Sequence, residues 1–336
     1  MTTTADATST VRERYARFAR DEAPGRSEVY REWAAGVAGD PGMQRLLARI
    51  APARRQPPLV FAVTRLLGAP EAGYASWSAW TRAHADAVVA ECDRRSVQTN
   101  EPLRCAALLP ALALVPGPIA LLEVGASAGL CLYPDRYGYR YRRADGDEVV
   151  LEPADGPSPV TLTSELRGDR MPPLALPEIV WRAGIDLEPL DPRDPDTERW
   201  LTGLVWPGET GRAERVRRAL RIAASDPPLL VAGDGAEKIA EVAALAPPDA
   251  TLVVTTPGVL ALMPWPARHA TIAAARAAGR WVTIDAPALH EGWTSPVDVA
   301  EWPGGFAVAL DGDVVAAADP LGGWLEWRAE DAATPR

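Results

Sequence analysis

Residues Leu121-Leu122-Glu123-Val124-Gly125-Ala126-Ser127-Ala128-Gly129-Leu130 form the stretch of this chain best suited to chemistry. The apolar run Ile119–Val124 predicts a buried strand that must turn sharply, at Gly125 and Gly129, into a helix. Glycines let the backbone bend freely and lie close to a ligand. A helix start adds unpaired N–H groups. Glu123 stands two residues before the first glycine, at the carboxyl edge of the strand, where open α/β sheets bind ligands. The spacing lacks the Gly-x-Gly-x-x-Gly that cradles a pyrophosphate, so the expected ligand carries no phosphate at this turn. A nucleoside needs an acceptor for its ribose hydroxyls, and Asp186 ends the next predicted strand, Ile179–Asp186. It lies far beyond the roughly 20 residues usual for that role, which makes the stretch of about 133–178 an insertion. Asp234, in Gly233-Asp234-Gly235, ends a third strand, Leu229–Ala232, and is equally suited to cap a helix starting near Ala236.

An acid, one spacer and Gly-x-Ser-x-Gly resembles motif I of the class I S-adenosylmethionine-dependent methyltransferases, with Ser127 at the middle glycine. The resemblance implies S-adenosylmethionine as cofactor and a Rossmann-like α/β sheet whose last strand inserts antiparallel. It also implies contact between Asp234 and the adenine amino group, and acceptor-binding groups near Thr255 and Thr256. The cofactor-binding set is then Glu123, Gly125, Ser127, Gly129, Asp186 and Asp234, with Asn100 added below. Gly125-x-Ser127-x-Gly129 also fits the nucleophile elbow of the α/β-hydrolases, and Ser127, Asp234 and His290 follow that family's triad order. A hydrolase needs several strands before its elbow, whereas the upstream chain here reads as helical. The third reading is a strand–helix turn that binds nothing, or a methyltransferase-like fold that binds without catalysis.

Methyl transfer from a sulfonium chiefly needs alignment and exclusion of water. A base is required only when the acceptor must lose a proton. His290, with Glu291 and Asp285 beyond the fifth strand, and Tyr137 or Tyr139 in the insertion, are the candidates. His84 reads as a buried histidine within the helix Ser76–Arg94, and His269 as a helix-start residue. Asn100 is the one asparagine of the chain. In Gln98-Thr99-Asn100-Glu101, ahead of Pro102, it either caps a helix or lies over the glycine turn and binds cofactor or acceptor. The 12 tryptophans read as core by default, with Trp206, Trp265 and Trp293 placed at strand–helix junctions where they could stack on a planar group.

Two kinds of segment must position these groups. Residues 1–117 read as an all-helical region: Val11–Glu22, Glu28–Val37, Met43–Ile50, Pro58–Leu67, Ser76–Arg94 and Leu103–Leu114. After Pro116-Gly117-Pro118, residues 118–330 alternate apolar runs with helices, the pattern of a parallel sheet. Strands are expected at Tyr139–Arg143, Glu148–Glu152, Thr251–Thr255 and Trp281–Ile284, and a hairpin at Phe306–Leu310 and Val314–Ala318 around Asp311-Gly312-Asp313. Helices fill Thr197–Leu204, Arg212–Ala224, Ala236–Ala246 and His269–Ala278.

The 336 residues, 47% hydrophobic and 24% charged, fit a globular chain with a large core and exclude a disordered or fibrous one. The balance of 35 basic to 45 acidic residues, net −10, argues against a nucleic-acid partner. Cys92, Cys105 and Cys131 form no Cys-x-x-Cys pair, so reduced thiols in a cytoplasmic protein are expected and no metal site is. The N-terminus lacks signal-peptide character, and prolines and Glu123 interrupt the longest apolar stretch, so no membrane span is expected.

Several stretches together resemble an uncharacterised bacterial family known as domain of unknown function 2332. They are Val97–Glu101, Glu123–Leu130 with Asp135-Arg136-Tyr137, Arg182-x-Gly184-Ile185-Asp186-Leu187-x-Pro189, and Trp200-Leu201 through Val205-Trp206-Pro207. The resemblance covers nearly the whole chain. It implies a helical part on a methyltransferase-like domain and hands over no substrate; the expected acceptor is a small molecule. Cys131 departs from the asparagine expected before Leu132.

Overall fold

A computed structural model describes residues 4–329. The chain forms two compact units. One holds the chain through Thr99 together with Pro195–Arg217, and the other holds Asn100–Asp194 and the chain from Arg218 onward.

The first unit is helical. Helix α1 (Thr4–Arg17) runs into a π-helical turn, Phe18–Glu22, and is followed by α2 (Glu28–Gly39), α3 (Pro41–Leu47), α4 (Pro57–Leu66), α5 (Tyr74–Ala83) and α6 (Ala85–Arg94). Helix α7 (Cys105–Leu112) belongs to the second unit, and α8 (Pro195–Gly203) returns to the first. Side-chain caps start α2 and α3: Ser27 accepts from the Tyr30 amide at 3.2 Å, and Asp40 from that of Met43 at 2.9 Å, with Pro41 in the first turn. The helix expected over 76–94 is broken at His84 (φ −115°, ψ 23°). There the ring Nδ1 pairs with the Trp80 carbonyl at 2.8 Å and the ring stacks on the Trp80 indole at 4.0 Å, competing with helical continuation. His84 is thus exposed rather than buried. The unit's core is aromatic: Tyr15, Phe18, Tyr30, Trp33, Phe61 and Trp77 pack together, with Trp33 stacked on Trp77 at 5.1 Å. Trp206 joins this core against Phe18 and Tyr30.

The second unit is built on one sheet. Its strands are β1 (Ile119–Val124), β2 (Gly138–Arg143), β3 (Glu148–Leu151), β4 (Thr161–Arg167), β5 (Ile179–Asp186), β6 (Leu229–Ala232), β7 (Thr251–Pro257), β8 (Arg280–Asp285), β9 (Phe306–Leu310), β10 (Asp313–Ala318) and β11 (Trp324–Trp327). Among the described residues they lie in the order β3-β2-β4-β11-β10-β9-β8-β7-β1-β5-β6. The stretch β8-β7-β1-β5-β6 is parallel throughout. The direction of strand addition reverses at β1: β5 and β6 follow on one side, then β7 and β8 on the other. In such sheets the carboxyl ends beside the reversal are where ligands bind.

Helices α9 (Arg212–Ser225), α10 (Gly235–Ala243) and α11 (Trp265–Ala278) fill the later connections. Leu122 and Val124 of β1 face Ile239 and Val242 of α10 and Ile272 and Ala275 of α11, one apolar layer with Ile185, Val254 and Trp281. Fully burying side chains of this size contributes about 1.5–3 kcal/mol each. On the other face α7 contacts β4, β8 and β9. Strands four steps apart would lie about 19 Å apart in a flat sheet, well beyond a helix diameter of about 10 Å. The sheet therefore curls round α7.

Three features of the second unit differ from the sequence expectations. The helix expected after Gly129 is replaced by a single 3-10 turn, Leu130–Leu132, and the connection to β5 runs through β2, β3 and β4 with no α-helix among its residues. Pro134 accounts for the stop, because a residue before proline is pushed out of the helical region, and Tyr133 sits at φ −119°, ψ 41°. Strands β4 and β11 were not foreseen. In β4 only Leu162, Ser164 and Leu166 face inward, so it carries no apolar run. Finally, the hairpin forms as expected around Asp311 (φ 55°) and Gly312 (φ 93°), but its first strand, β9, lies antiparallel beside β8. The last strand, β11, lies farther out and joins β4, instead of inserting. Among the described residues no helix is long and apolar enough to cross a membrane.

Candidate functional site

The register of the central strands gathers the acids. Glu123 lies level with Gly184 of β5 and Thr255 of β7, and Asp186 lies level with Ala232 of β6, just ahead of Asp234. Glu123, Asp186 and Asp234 thus line the carboxyl edge of three adjacent strands.

The turn between them is tight. Gly125 (φ 79°), Ser127 (φ 52°) and Gly129 (φ 76°) all adopt left-handed backbone, a conformation costly for the non-glycine Ser127. The protein holds it from three sides. The Gly125 and Ala126 amides donate to the Ile185 carbonyl at 2.8 and 3.2 Å, and the Gly129 amide to that of Ala126 at 2.7 Å. Asp186 accepts from the Ser127 amide at 2.8 Å through one oxygen and from the Glu188 amide at 2.9 Å through the other. Asn100 uses both ends of its amide: its carbonyl accepts from the Ala128 amide at 3.2 Å and its NH₂ donates to Ser127 Oγ. Asn100 therefore does lie on the turn, as one sequence reading has it, but as a clasp. The cap of the short turn at Pro102 is Glu101, whose carboxylate accepts from the Leu103 amide at 3.0 Å.

Glu123 stands apart from these satisfied groups. Its side chain is 3% exposed, and Oε2 is buried with no hydrogen-bond partner. Burial, aided by the nearby Cys131 thiol, raises its carboxyl well above the ordinary value; Arg104 opposes the shift. Arg104 crosses the same edge, donating from Nη1 to the Pro257 carbonyl and from Nε to the Pro320 carbonyl, both at 3.0 Å. Asp285, ending β8, is fully buried and accepts from the Leu260 amide at 3.0 Å and the Ala286 amide at 2.9 Å. Burial pushes its carboxyl up to about 6 against these amides and Arg104.

The glycines do not open onto empty space. A Cβ on Gly125 would lie 2.6 Å from Val259 Cγ2, and one on Gly129 would lie 3.0 Å from Pro228 Cγ. Both faces are filled by the protein's own side chains.

The remaining sequence candidates fall in several places. Asp234 caps α10, accepting from the Ala236 amide at 2.9 Å, while keeping its place at the edge. Tyr137 is fully buried and donates its hydroxyl to the Leu130 carbonyl at 2.7 Å, and burial raises its pKa well above 10; Tyr139 likewise donates to Pro134 at 2.6 Å. These hydroxyls brace the chain after the turn. His290 begins the 3-10 turn His290–Gly292, and its side chain lies outside the described residues. Glu291 lies 2.5 Å from Arg268. Thr256 joins Thr283 and the Trp281 indole N–H in a buried network at 2.8 and 2.9 Å. Trp293 is buried, Trp265 is 61% exposed, and His269 is exposed beside it. Among the described residues no group of His, Cys, Asp and Glu side chains is arranged to hold a metal ion. A surface groove of about 630 Å³ between Pro153–Pro159 and Ile222–Asp226 is lined by committed groups: Arg136 pairs with Asp155, and Ser158 donates to the Arg136 carbonyl.

Sequence reasoning missed Arg104, Val259 and the anchoring part played by Asp285. Nothing local marks the first two, since each acquires its place through strand order.

The helical unit and the reversed parallel sheet with its polar turn define an α/β protein. The chain belongs to a family of uncharacterised proteins conserved in bacteria (DUF2332), which it matches over residues 12–327. No curated protein and no solved structure matches it.

Proposed function

We propose that the protein binds S-adenosylmethionine at the carboxyl edge of β1, β5 and β6 and transfers its methyl group to a small-molecule acceptor. The observation that carries this reading is Glu123: a buried carboxyl with an unpartnered oxygen, at a strand reversal, beside two further acids. Burying an acceptor without a partner costs about 1–3 kcal/mol, a cost that a cationic ligand offsets. The strand order around β1 and the antiparallel β9 beside β8 support a Rossmann-like methyltransferase sheet. The donor set fits an adenosyl sulfonium in charge, since three carboxylates suit hydroxyls, an amine and a cation, and disfavour phosphate.

In this reading Asp186 accepts from the ribose hydroxyls, Asp234 from the adenine amine, and Glu123 faces the charged end of the ligand. Gly125, Ser127 and Gly129 shape the turn beneath the ligand, kept in place by Asn100, with the faces of Gly125 and Gly129 covered by Val259 and Pro228. When bound, the sulfonium supplies an electrophilic methyl group. The chain's own contribution is alignment and exclusion of water. His290 is retained as the candidate base for an acceptor that must lose a proton. Net charge −10 supports a small molecule over nucleic acid, and the free thiols of Cys92, Cys105 and Cys131 support a cytoplasmic location.

Calorimetry with S-adenosylmethionine and S-adenosylhomocysteine tests the proposal. Saturable one-to-one binding that Glu123→Gln weakens is expected; no heat with either ligand at millimolar concentration and folded protein defeats it. One observation favours a second reading: the left-handed Ser127 resembles a hydrolase nucleophile held on a strained turn. Against it, the Ala128 amide that would stabilise an oxyanion donates to Asn100. Labelling of Ser127 by a fluorophosphonate would revive that reading.

A further inference from the structure

The face of Gly125 is where the adenosyl reading needs open backbone, and Val259 occupies it. An ideal Cβ on Gly125 would lie 2.6 Å from Val259 Cγ2 and 2.9 Å from Val259 Cβ. Separations that short mean that the isopropyl group fills the volume a side chain would take, so no ligand atom can share it. Val259 follows Gly258, which is left-handed (φ 72°) directly after β7. The chain then fixes itself again at once. The Leu260 amide donates to the buried Asp285 at 3.0 Å, and the Leu260 side chain is packed between sheet and helices. Before Val259, Arg104 ties the Pro257 carbonyl at 3.0 Å, and the Gly258 amide donates to the Ile284 carbonyl at 2.6 Å. Between these posts the Val259 carbonyl also accepts from the Leu262 amide at 3.0 Å and the Val259 side chain packs against the same core, so the segment turns at the Gly258–Val259 peptide, whose first member is the residue type best able to change its φ and ψ.

We propose that Val259 is a gate on the glycine turn: it is seated on Gly125 in the closed form and swings away about Gly258 to admit the adenosyl ligand. This rests on the adenosyl reading above. The posts at Pro257 and Leu260 keep the motion local, so the sheet edge and its acids stay in place. The free energy of unseating Val259 is subtracted from the ligand's affinity, so the size of this side chain sets how tightly the turn binds.

The test is calorimetric titration of S-adenosylhomocysteine into the full chain carrying Val259→Ala, Val259→Thr or Val259→Ile, beside the unaltered protein. Val259→Ala removes the methyl groups seated on Gly125 and should tighten binding by about fivefold or more, close to 1 kcal/mol. Val259→Thr keeps the volume and should bind as the unaltered protein does. Val259→Ile should bind more weakly, and it serves as the readout if the alanine form fails to fold by circular dichroism. Binding by the unaltered protein with equal affinity in the alanine and isoleucine forms overturns the gate and leaves the adenosyl site standing. Absence of binding in every folded form overturns both.

Discussion

Arg182 and Glu123 lie on neighbouring strands and the same sheet face, two residues apart along the register, yet their surroundings are opposite. The Arg182 side chain is 8% exposed and is engaged at both amino groups. Its Nη1 donates to the Leu132 carbonyl at 2.8 Å and to Asp135 at 2.9 Å, its Nη2 to Asp135 at 2.7 Å, and its guanidinium lies 4.9 Å from the Tyr133 ring centre. Glu123 is as deeply buried and has an oxygen with no partner. The first is a structural pair, bidentate and closed. The second is a charge site that the fold leaves incomplete, and incompleteness at a strand reversal is what a ligand site requires. The same chemistry, a buried ionisable group, is architecture in one place and, in the function proposed above, a ligand contact in the other.

Removing one partner from each region should separate them most sharply. Asp135→Ala strands the buried Arg182 charge and should cost about 3–5 kcal/mol of stability, read by chemical denaturation. Asn100→Ala comes next. It releases the Ala128 amide and the Ser127 hydroxyl and should cost about 1–3 kcal/mol, with a matching loss of ligand affinity. Stability equal to the unaltered protein would show that the turn holds without its clasp.

Glu123→Gln should act in the opposite direction and more weakly. The Glu123 carboxyl titrates higher in the folded chain than in the unfolded one. Its contribution to stability is therefore present below the unfolded pKa and lost as pH rises through the folded value. The glutamine form should lose part of that slope and be more stable near neutral pH, by on the order of 1 kcal/mol. Asp285, raised to about 6, acts in the same sense, so a residual slope should remain. Denaturation midpoints from about pH 4, near the ordinary carboxyl value, upward decide it; an unchanged profile would mean that Glu123 has found a partner. The smallest effect is expected at Trp265→Ala, within about 0.5 kcal/mol, because the indole is exposed.

The sequence made the parallel core legible. Ile119–Val124, Ile179–Asp186 and Leu229–Ala232 of that core, and Phe306–Leu310 antiparallel beside it, are strands at the limits expected, because each is built on a short apolar run. It concealed β4, whose alternation includes an inward serine, and the missing helix after Gly129, where Pro134 outweighs the strand–helix pattern. In the site, the positions of the glycines and acids could be read because each ends or directly follows a strand. Val259 and Arg104 could not, since a valine on Gly125 and an arginine over Pro257 are products of strand order, distant in sequence. Asn100 was singled out by rarity, and only the structure shows that it serves the turn's own backbone.

The most direct measurement of the central claim is a crystal structure of the full chain with S-adenosylhomocysteine at saturating concentration. Adenosyl density is expected along the carboxyl edge, with the ribose at Asp186, the adenine toward Asp234, and Val259 withdrawn from Gly125. Density elsewhere on the molecule, or an edge that stays closed with Glu123 unpartnered at saturation, would contradict it.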